Sequence, residues 1–213
     1  MRALGLLGLA ALAAGCTGNA PVYKGQDMTG FFPFDGSQRW WEFSNDDPDT
    51  KHVLRGDLLV TEEDERVDDK LIHVVEWSSK CPTTDGCTEE SLYTLRWTVD
   101  SIDGIEIHGM ETVGGEAYFD APIQFTDRYM KVGESVTSTA DGHDFTSTFE
   151  AIDGCPQNYN DQWDDCAKIV LETTAGDHPL EGTWHFVPSF NVVSVDFANE
   201  DGRWALFDTL WEE

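Results

Sequence analysis

The chain has 213 residues, and its 13 Lys and Arg stand against 41 Asp and Glu, a formal charge of −28. Charge of this sign excludes nucleic acid as a partner, because phosphates are repelled by it. The length suffices for one domain with its own core, and no internal repeat or Pro/Ser-rich linker divides it.

The chain opens on MRALGLLGLAALAAGC. One Arg is followed by an Ala/Leu/Gly run from Ala3 to Ala14, too short for the roughly 20 residues that cross a bilayer. A basic start and small residues before Cys16 read as a signal peptide over residues 1–15. The ending resembles a bacterial lipobox, with Leu12 one place further from the Cys than usual. That resemblance implies cleavage before Cys16 and its modification with diacylglycerol and an amide-linked acyl chain such as palmitate. Several acyl chains anchor where one would not. Thr17, a residue other than Asp after the Cys, implies sorting to the outer membrane, on either its periplasmic or its surface face. Residues 16–30 then form a lipidated tether, and residues 31–213 a single domain.

The domain begins with FFPFDGSQRWWEF (31–43). It predicts a short edge segment around Pro33, a turn at Asp35-Gly36, and a strand with Trp41 and Phe43 on one face and Trp40 and Glu42 on the other. VLRGDLLV (53–60) is the next strand, EEDERVDDK (62–70) an acidic turn, and LIHVVEW (71–77) another strand. SLYTLRWTV (91–99) alternates cleanly, with Tyr93, Leu95, Trp97 and Val99 on one side, the mark of a half-buried strand. GIEIHGM, EAYFDAPIQF, DFTSTFEAI, AKIVLETT, GTWHFV, VVSVDF and RWALFDTLW continue the series. Asp-Gly occurs six times, and the pair suits tight hairpin turns because Gly accepts positive φ freely and Asp tolerates it. No amphipathic helical stripe appears. The expectation is an all-β fold, an antiparallel meander of ten or eleven strands, as an open or half-closed barrel or a two-sheet sandwich.

Setting Cys16 aside leaves Cys81, Cys87, Cys155 and Cys166, in two close pairs. An even remainder in an exported chain predicts disulfides 81–87 and 155–166, each pinning a loop by about 2–3 kcal/mol. Zinc fits less well, since neither pair has Cys-x-x-Cys spacing.

Phe32-Pro33-Phe34, Gly36 and Trp41-Glu42-Phe43 resemble the opening of many bacterial envelope lipoproteins of unassigned chemistry, which start after the tether with an aromatic-Pro-hydrophobic step, a Gly and Trp-x-aromatic. APIQFTDRYMKVGESVTST (121–139) and GTWHFVPSFNVVSVDF (182–197) resemble their middle and late segments. The likeness implies an envelope location and carries no reaction.

Signatures of catalysis are missing from the sequence: it contains no HExxH, no G-x-S-x-G and no P-loop, and no catalytic residue is assigned. The acidity has three readings: a solvated surface suited to salty water, calcium binding, or a cationic partner. Calcium needs six to eight converging oxygens. Asn158, Asn160, Asp161, Asp164 and Asp165 could offer some, although an EF-hand would need Gly and Glu where Trp163 and Ile169 stand. Trp163, among polar residues between Cys155 and Cys166, is a candidate contact residue, with folding back onto the sheet as its alternative. The functional expectation is a lipid-anchored, non-catalytic envelope protein with a scaffold or binding role and no cofactor. A calcium- or carbohydrate-binding module at the cell surface is the alternative, and an envelope protein is a further possible partner.

Overall fold

The computed structural model describes residues 25–32, 38–46, 53–59, 65–81, 88–112, 115, 118–156, 163, 165–188, 190–199 and 201–211. In chain order the strands are β1 (Gln26–Asp27), β2 (Gln38–Asn45), β3 (Val53–Leu59), β4 (Arg66–Val67), β5 (Lys70–Leu71), β6 (His73–Lys80), β7 (Glu90–Asp100) and β8 (Gly104–Thr112). They continue with β9 (Ile123–Thr126), β10 (Tyr129–Met130), β11 (Ser135–Ala140), β12 (His143–Asp153), β13 (Cys166–Thr173), β14 (Gly182–Val187), β15 (Asn191–Phe197) and β16 (Trp204–Trp211). A single 3-10 turn, Met28–Phe31, is the only helical element among the described residues.

Twelve strands form one antiparallel sheet in the order β11-β12-β13-β14-β15-β16-β2-β3-β6-β7-β8-β9. The last strand zips onto the first long one, with Leu206 opposite Phe43 and Thr209 opposite Trp41. That pairing bends the meander round until its two edges, β9 and β11, face each other. No backbone ladder joins them; the Gln124 amide donates to Ser138 Oγ at 2.9 Å across the gap. The result is a nearly closed barrel with one unsealed seam. The seam strand β11 is also the one missing from the sequence reading, because SVTSTA holds only Val136 and Ala140 as apolar residues.

Alternation sends one face of every strand inward. Trp41, Phe43, Trp77, Leu95, Trp97, Phe125, Phe149, Ile169, Trp184 and Phe186 are all buried. Their rings meet across the barrel: Trp77 and Trp184, on strands far apart in the sheet, have centroids 6.2 Å apart, and Phe125 lies 6.1 Å from Trp184. Gly56 lies beside both Trp41 and Trp77, where a Cβ would be in ordinary contact with the two rings at 3.4 Å. Among the described residues, the void between Phe32, Trp41, Trp77, Trp97, Trp184 and Phe186 is about 20 Å³, so these rings pack as a core. Trp40 points outward as expected, and the Arg55 guanidinium lies 4.6 Å above its ring while pairing with Glu42 at 3.1 Å.

The N-terminal segment departs from expectation. Residues 26–30, read as tether, belong to the fold: Gln26 and Asp27 pair with Met130 and Tyr129, and the Met28 amide donates to Arg128 O at 2.7 Å. Asp27 caps the 3-10 turn, accepting from the Thr29 amide at 3.2 Å and hydroxyl at 2.7 Å. Phe31 and Phe32 are not part of an edge segment. Both are buried, and the Phe32 ring stops one end of the barrel, with centroids 4.6 Å from Phe186, 5.9 Å from Phe125 and 6.0 Å from Trp97. Pro33, Asp35 and Gly36 lie outside the described residues. The acidic turn at 62–70 is a β4–β5 hairpin, with Asp68 and Asp69 both at positive φ (50° and 66°) as a two-residue turn of that hand requires. Asp141-Gly142 builds the β11–β12 turn in the same way (φ 50° and 77°).

Since Phe32 is buried between Phe186, Phe125 and Trp97, Phe32→Ala is expected to lower unfolding free energy by about 3–5 kcal/mol in denaturant titration. A change within about 0.5 kcal/mol would return the segment to the status of a tether.

Candidate functional site

The barrel has two unlike ends. At the plugged end sit the N-terminal segment, the 101–103 and 127–134 turns, and the start of the 154–165 loop. The opposite end gathers the 141–142, 174–181 and 198–203 connections. There the 174–181 strap crosses the mouth and divides it. A pocket of about 390 Å³ lies on one side, lined by Tyr118, Phe119, Asp141 and His143, and one of about 190 Å³ on the other, lined by Leu54, Tyr93 and Phe197. Asp177, His178 and Pro179 of the strap border both.

The strap is held from within. Leu180 is fully buried and its carbonyl accepts from Trp184 Nε1 at 3.1 Å. The Leu180 amide donates to His178 Nδ1 at 3.2 Å, and the Glu181 amide donates to His178 O at 3.0 Å. Gly176 and Asp177 take left-handed φ of 63° and 45°, which turn the chain across the opening. His178 packs edge-on against Phe145 with centroids 5.1 Å apart. Burial, and then the nearby His143, push its pKa below the ordinary imidazole value. A neutral ring is also what the amide bond demands, since Nδ1 must accept. On the other rim, Asp120 and Asp141 brace each other: the Asp120 amide donates to Asp141 Oδ1 at 3.0 Å and the Asp141 amide to Asp120 Oδ1 at 2.6 Å.

A mouth of this kind offers aromatic faces, carboxylates and two imidazoles around a space large enough for a small ligand. Nδ1 of His178 is committed to the backbone, so the ring serves the strap's shape rather than proton transfer. These residues were not singled out from the sequence as a site. His143 and His178 lie 35 positions apart, and only the β12-β13-β14 register brings their turns to one rim; the linear pattern holds no sign of it.

The residues that the sequence did single out lie elsewhere. Cys155 and Cys166 are bonded, with Cα atoms 4.9 Å apart, at the plugged end. Cys81 is in a disulfide, while Cys16 and Cys87 lie outside the described residues, as do Asn158, Asn160, Asp161 and Asp164. Trp163 is half-buried and folds back, its ring centroid 4.8 Å from Phe190, whereas Asp165 is exposed. No group of three His, Cys, Asp or Glu placed to hold a metal occurs among the described residues.

A second polar cluster lies on the outer wall, beneath the β4–β5 hairpin. Lys70 Nζ reaches Glu106 Oε2 at 2.6 Å and Asp103 Oδ2 at 2.7 Å. His108 Nε2 lies 3.0 Å from Thr98 Oγ1 and 3.3 Å from Glu106 Oε2. Both His108 contacts run through one nitrogen, so this is not a relay; it is a latch that holds the hairpin down, helped by Arg96 Nε on Glu65 at 3.1 Å. The hydrogen bond from His108, and then Lys70, hold the Glu106 carboxyl at about 2 against the cost of its burial.

No family model matches the chain, and neither does any curated protein or solved structure.

Because Glu106 titrates near 4.5 in the unfolded chain and at about 2 in the folded one, its contribution is complete above pH 4.5 and is lost as pH falls toward 2. It amounts to on the order of 3 kcal/mol. Glu106→Gln is expected to remove most of that at neutral pH and to make stability shallower against pH over the same acid window, as read by urea melts.

Proposed function

We propose that the protein is a lipid-anchored, non-catalytic component of the bacterial cell envelope that works as a scaffold or binding module, with the divided mouth as its binding face. The observation that carries this reading is one of placement. Gly25, nine residues after Cys16, lies beside Met130 at the plugged end, and the two pockets lie at the opposite end. An anchor at Cys16 would therefore leave the mouth facing away from the lipid. The lipobox-like LAALAAGC supplies the anchor, and Thr17 supports sorting to the outer membrane. The disulfide between Cys155 and Cys166 suits an oxidising compartment outside the cytoplasm.

Within the mouth, the larger pocket favours a carbohydrate. Tyr118 is exposed beside Phe119, and sugar rings stack on aromatic faces while carboxylates such as Asp141 and Asp177 accept from hydroxyls.

Expression of the whole chain in a bacterial envelope host with labelled palmitate tests the anchor. The protein is expected in the membrane fraction carrying label, and Cys16→Ser is expected to lose both. Label that survives Cys16→Ser, or that never appears on the wild-type chain, overturns the anchor. For the mouth, Tyr118→Ala should weaken the binding of any oligosaccharide found on a glycan array by about tenfold, with an unchanged melting temperature.

A further inference from the structure

We propose that the plugged end of the barrel docks on the membrane, with Ile102 and Val132 inserting among the lipid headgroups. The proposal rests on the reading of Cys16 as a lipid anchor and adds the partner of a surface that reading leaves unexplained.

Six large apolar side chains are well exposed among the described residues. Tyr118 lies at the mouth and Leu71 on the hairpin over the outer wall; Leu59, Ile102, Val132 and Ile152 lie toward the plugged end. Scattered apolar residues need no explanation, but a one-sided distribution on a strongly acidic chain does. The two most exposed are Ile102 at 82% and Val132 at 57%, each at the tip of a turn. Neither tip is loose. The Ile102 and Asp103 amides donate to Asp100 Oδ1 at 2.6 and 3.0 Å, which fixes the turn with Ile102 outward. The Lys131 amide donates to Glu134 Oε2 at 2.7 Å and sets the other turn. The turns are also fastened together: Arg128 Nη1 donates to the carbonyl of Ser101, and Gly104 packs so closely on residues 126–128 that a Cβ would collide with Thr126 O.

Gly25 lies against Met130 and Lys131, at φ 100° and with no room for a Cβ, beside Val132. Nine residue steps separate Gly25 from Cys16, and nine residues span at most about 30 Å. An anchor at Cys16 thus holds Ile102 and Val132 within easy reach of a bilayer at all times, and shallow insertion of about 5–10 Å is the depth at which apolar side chains meet acyl chains. The charge acts in the opposite sense to a polybasic anchor. A surface of −28 is repelled by anionic headgroups, so docking on such lipid strengthens as salt screens the repulsion.

Residues 17–213 keep the whole described fold and lack Cys16, so docking is read without the anchor. This chain is mixed with phosphatidylcholine vesicles, alone or with added phosphatidylglycerol, and floated. It is expected to float with neutral vesicles, and with anionic ones increasingly as NaCl is raised. Ile102→Asp combined with Val132→Asp should lower the bound fraction by about fivefold at unchanged melting temperature, and Tyr118→Asp should not. Absence of flotation at millimolar lipid overturns the proposal, as does flotation indifferent to the paired substitution. Self-association that the pair abolishes, without vesicle binding, overturns it in favour of a second copy of the chain. Palmitate labelling at Cys16 decides the anchor separately, so either reading can fail while the other stands.

Discussion

Everything in this fold follows from filling the inside of a twelve-stranded barrel. Eight strands enclose a space that ordinary side chains fill, and sixteen or more leave a water-filled lumen. Twelve strands lie between, and here the interior is dry because aromatic rings from opposite walls meet. Trp77 meets Trp184, Phe125 meets both Trp184 and Phe186, and Phe32 arrives from the N-terminal segment to occupy the space beside Phe186. Gly56 contributes no side chain where Trp41 and Trp77 come close to the strand between them. Each large ring buries far more area than an aliphatic side chain, so a modest number of positions suffices.

That solution fixes where function can sit. Between the described inner rings only about 20 Å³ is left, too little for a ligand, and Phe32 fills one end. Binding is left to the mouth, where the β13–β14 connection is long enough to cross the opening and is tied down through Leu180 and Trp184. The same plug fixes the orientation of the chain. Phe32 fills its place with the residues before it running along β10, so that Gln26 and Asp27 sit at the end opposite the pockets.

Much of the architecture was legible in the sequence, and the omissions have physical causes. Alternation in SLYTLRWTV and DFTSTFEAI placed Tyr93, Leu95, Trp97, Phe145 and Phe149 on the inner face, and Asp-Gly marked the 141–142 turn, because both signals are local. The split of Trp40 from Trp41 followed from the same alternation. β11 escaped because its faces differ little: it borders the seam, where Ser138 serves as a side-chain acceptor for the Gln124 amide. Phe31 and Phe32 were assigned to an edge segment because Pro33 suits one; at the end of a 3-10 turn and at its C-cap both reach the core instead. The mouth was illegible for a different reason. Tyr118, Asp141, His143 and His178 come from separate connections, and their proximity is a product of strand register and closure, which no short window contains.

The scarcity of cations completes the picture. Burying carboxylates or crowding them at a junction is costly unless a positive charge is close, and this chain has 13 Lys and Arg to spend against 41 acids. They stand where an excursion from the barrel must be held. Arg128 ties the N-terminal segment through Asp27, Lys70 and Arg96 pin the β4–β5 hairpin through Glu106 and Glu65, Arg55 bridges Glu42 and Asp57 on the outer wall, and Arg203 reaches Asp46 where β2 and β16 begin to pair. Exposed pairs of this kind contribute little one by one. The value of most of them here is positional: Arg128–Asp27, Lys70–Glu106, Arg96–Glu65 and Arg203–Asp46 join segments distant in sequence. With the junctions held, Glu106 is the one buried carboxylate among the residues whose burial is described, and the other described acids stand at partly or fully exposed positions.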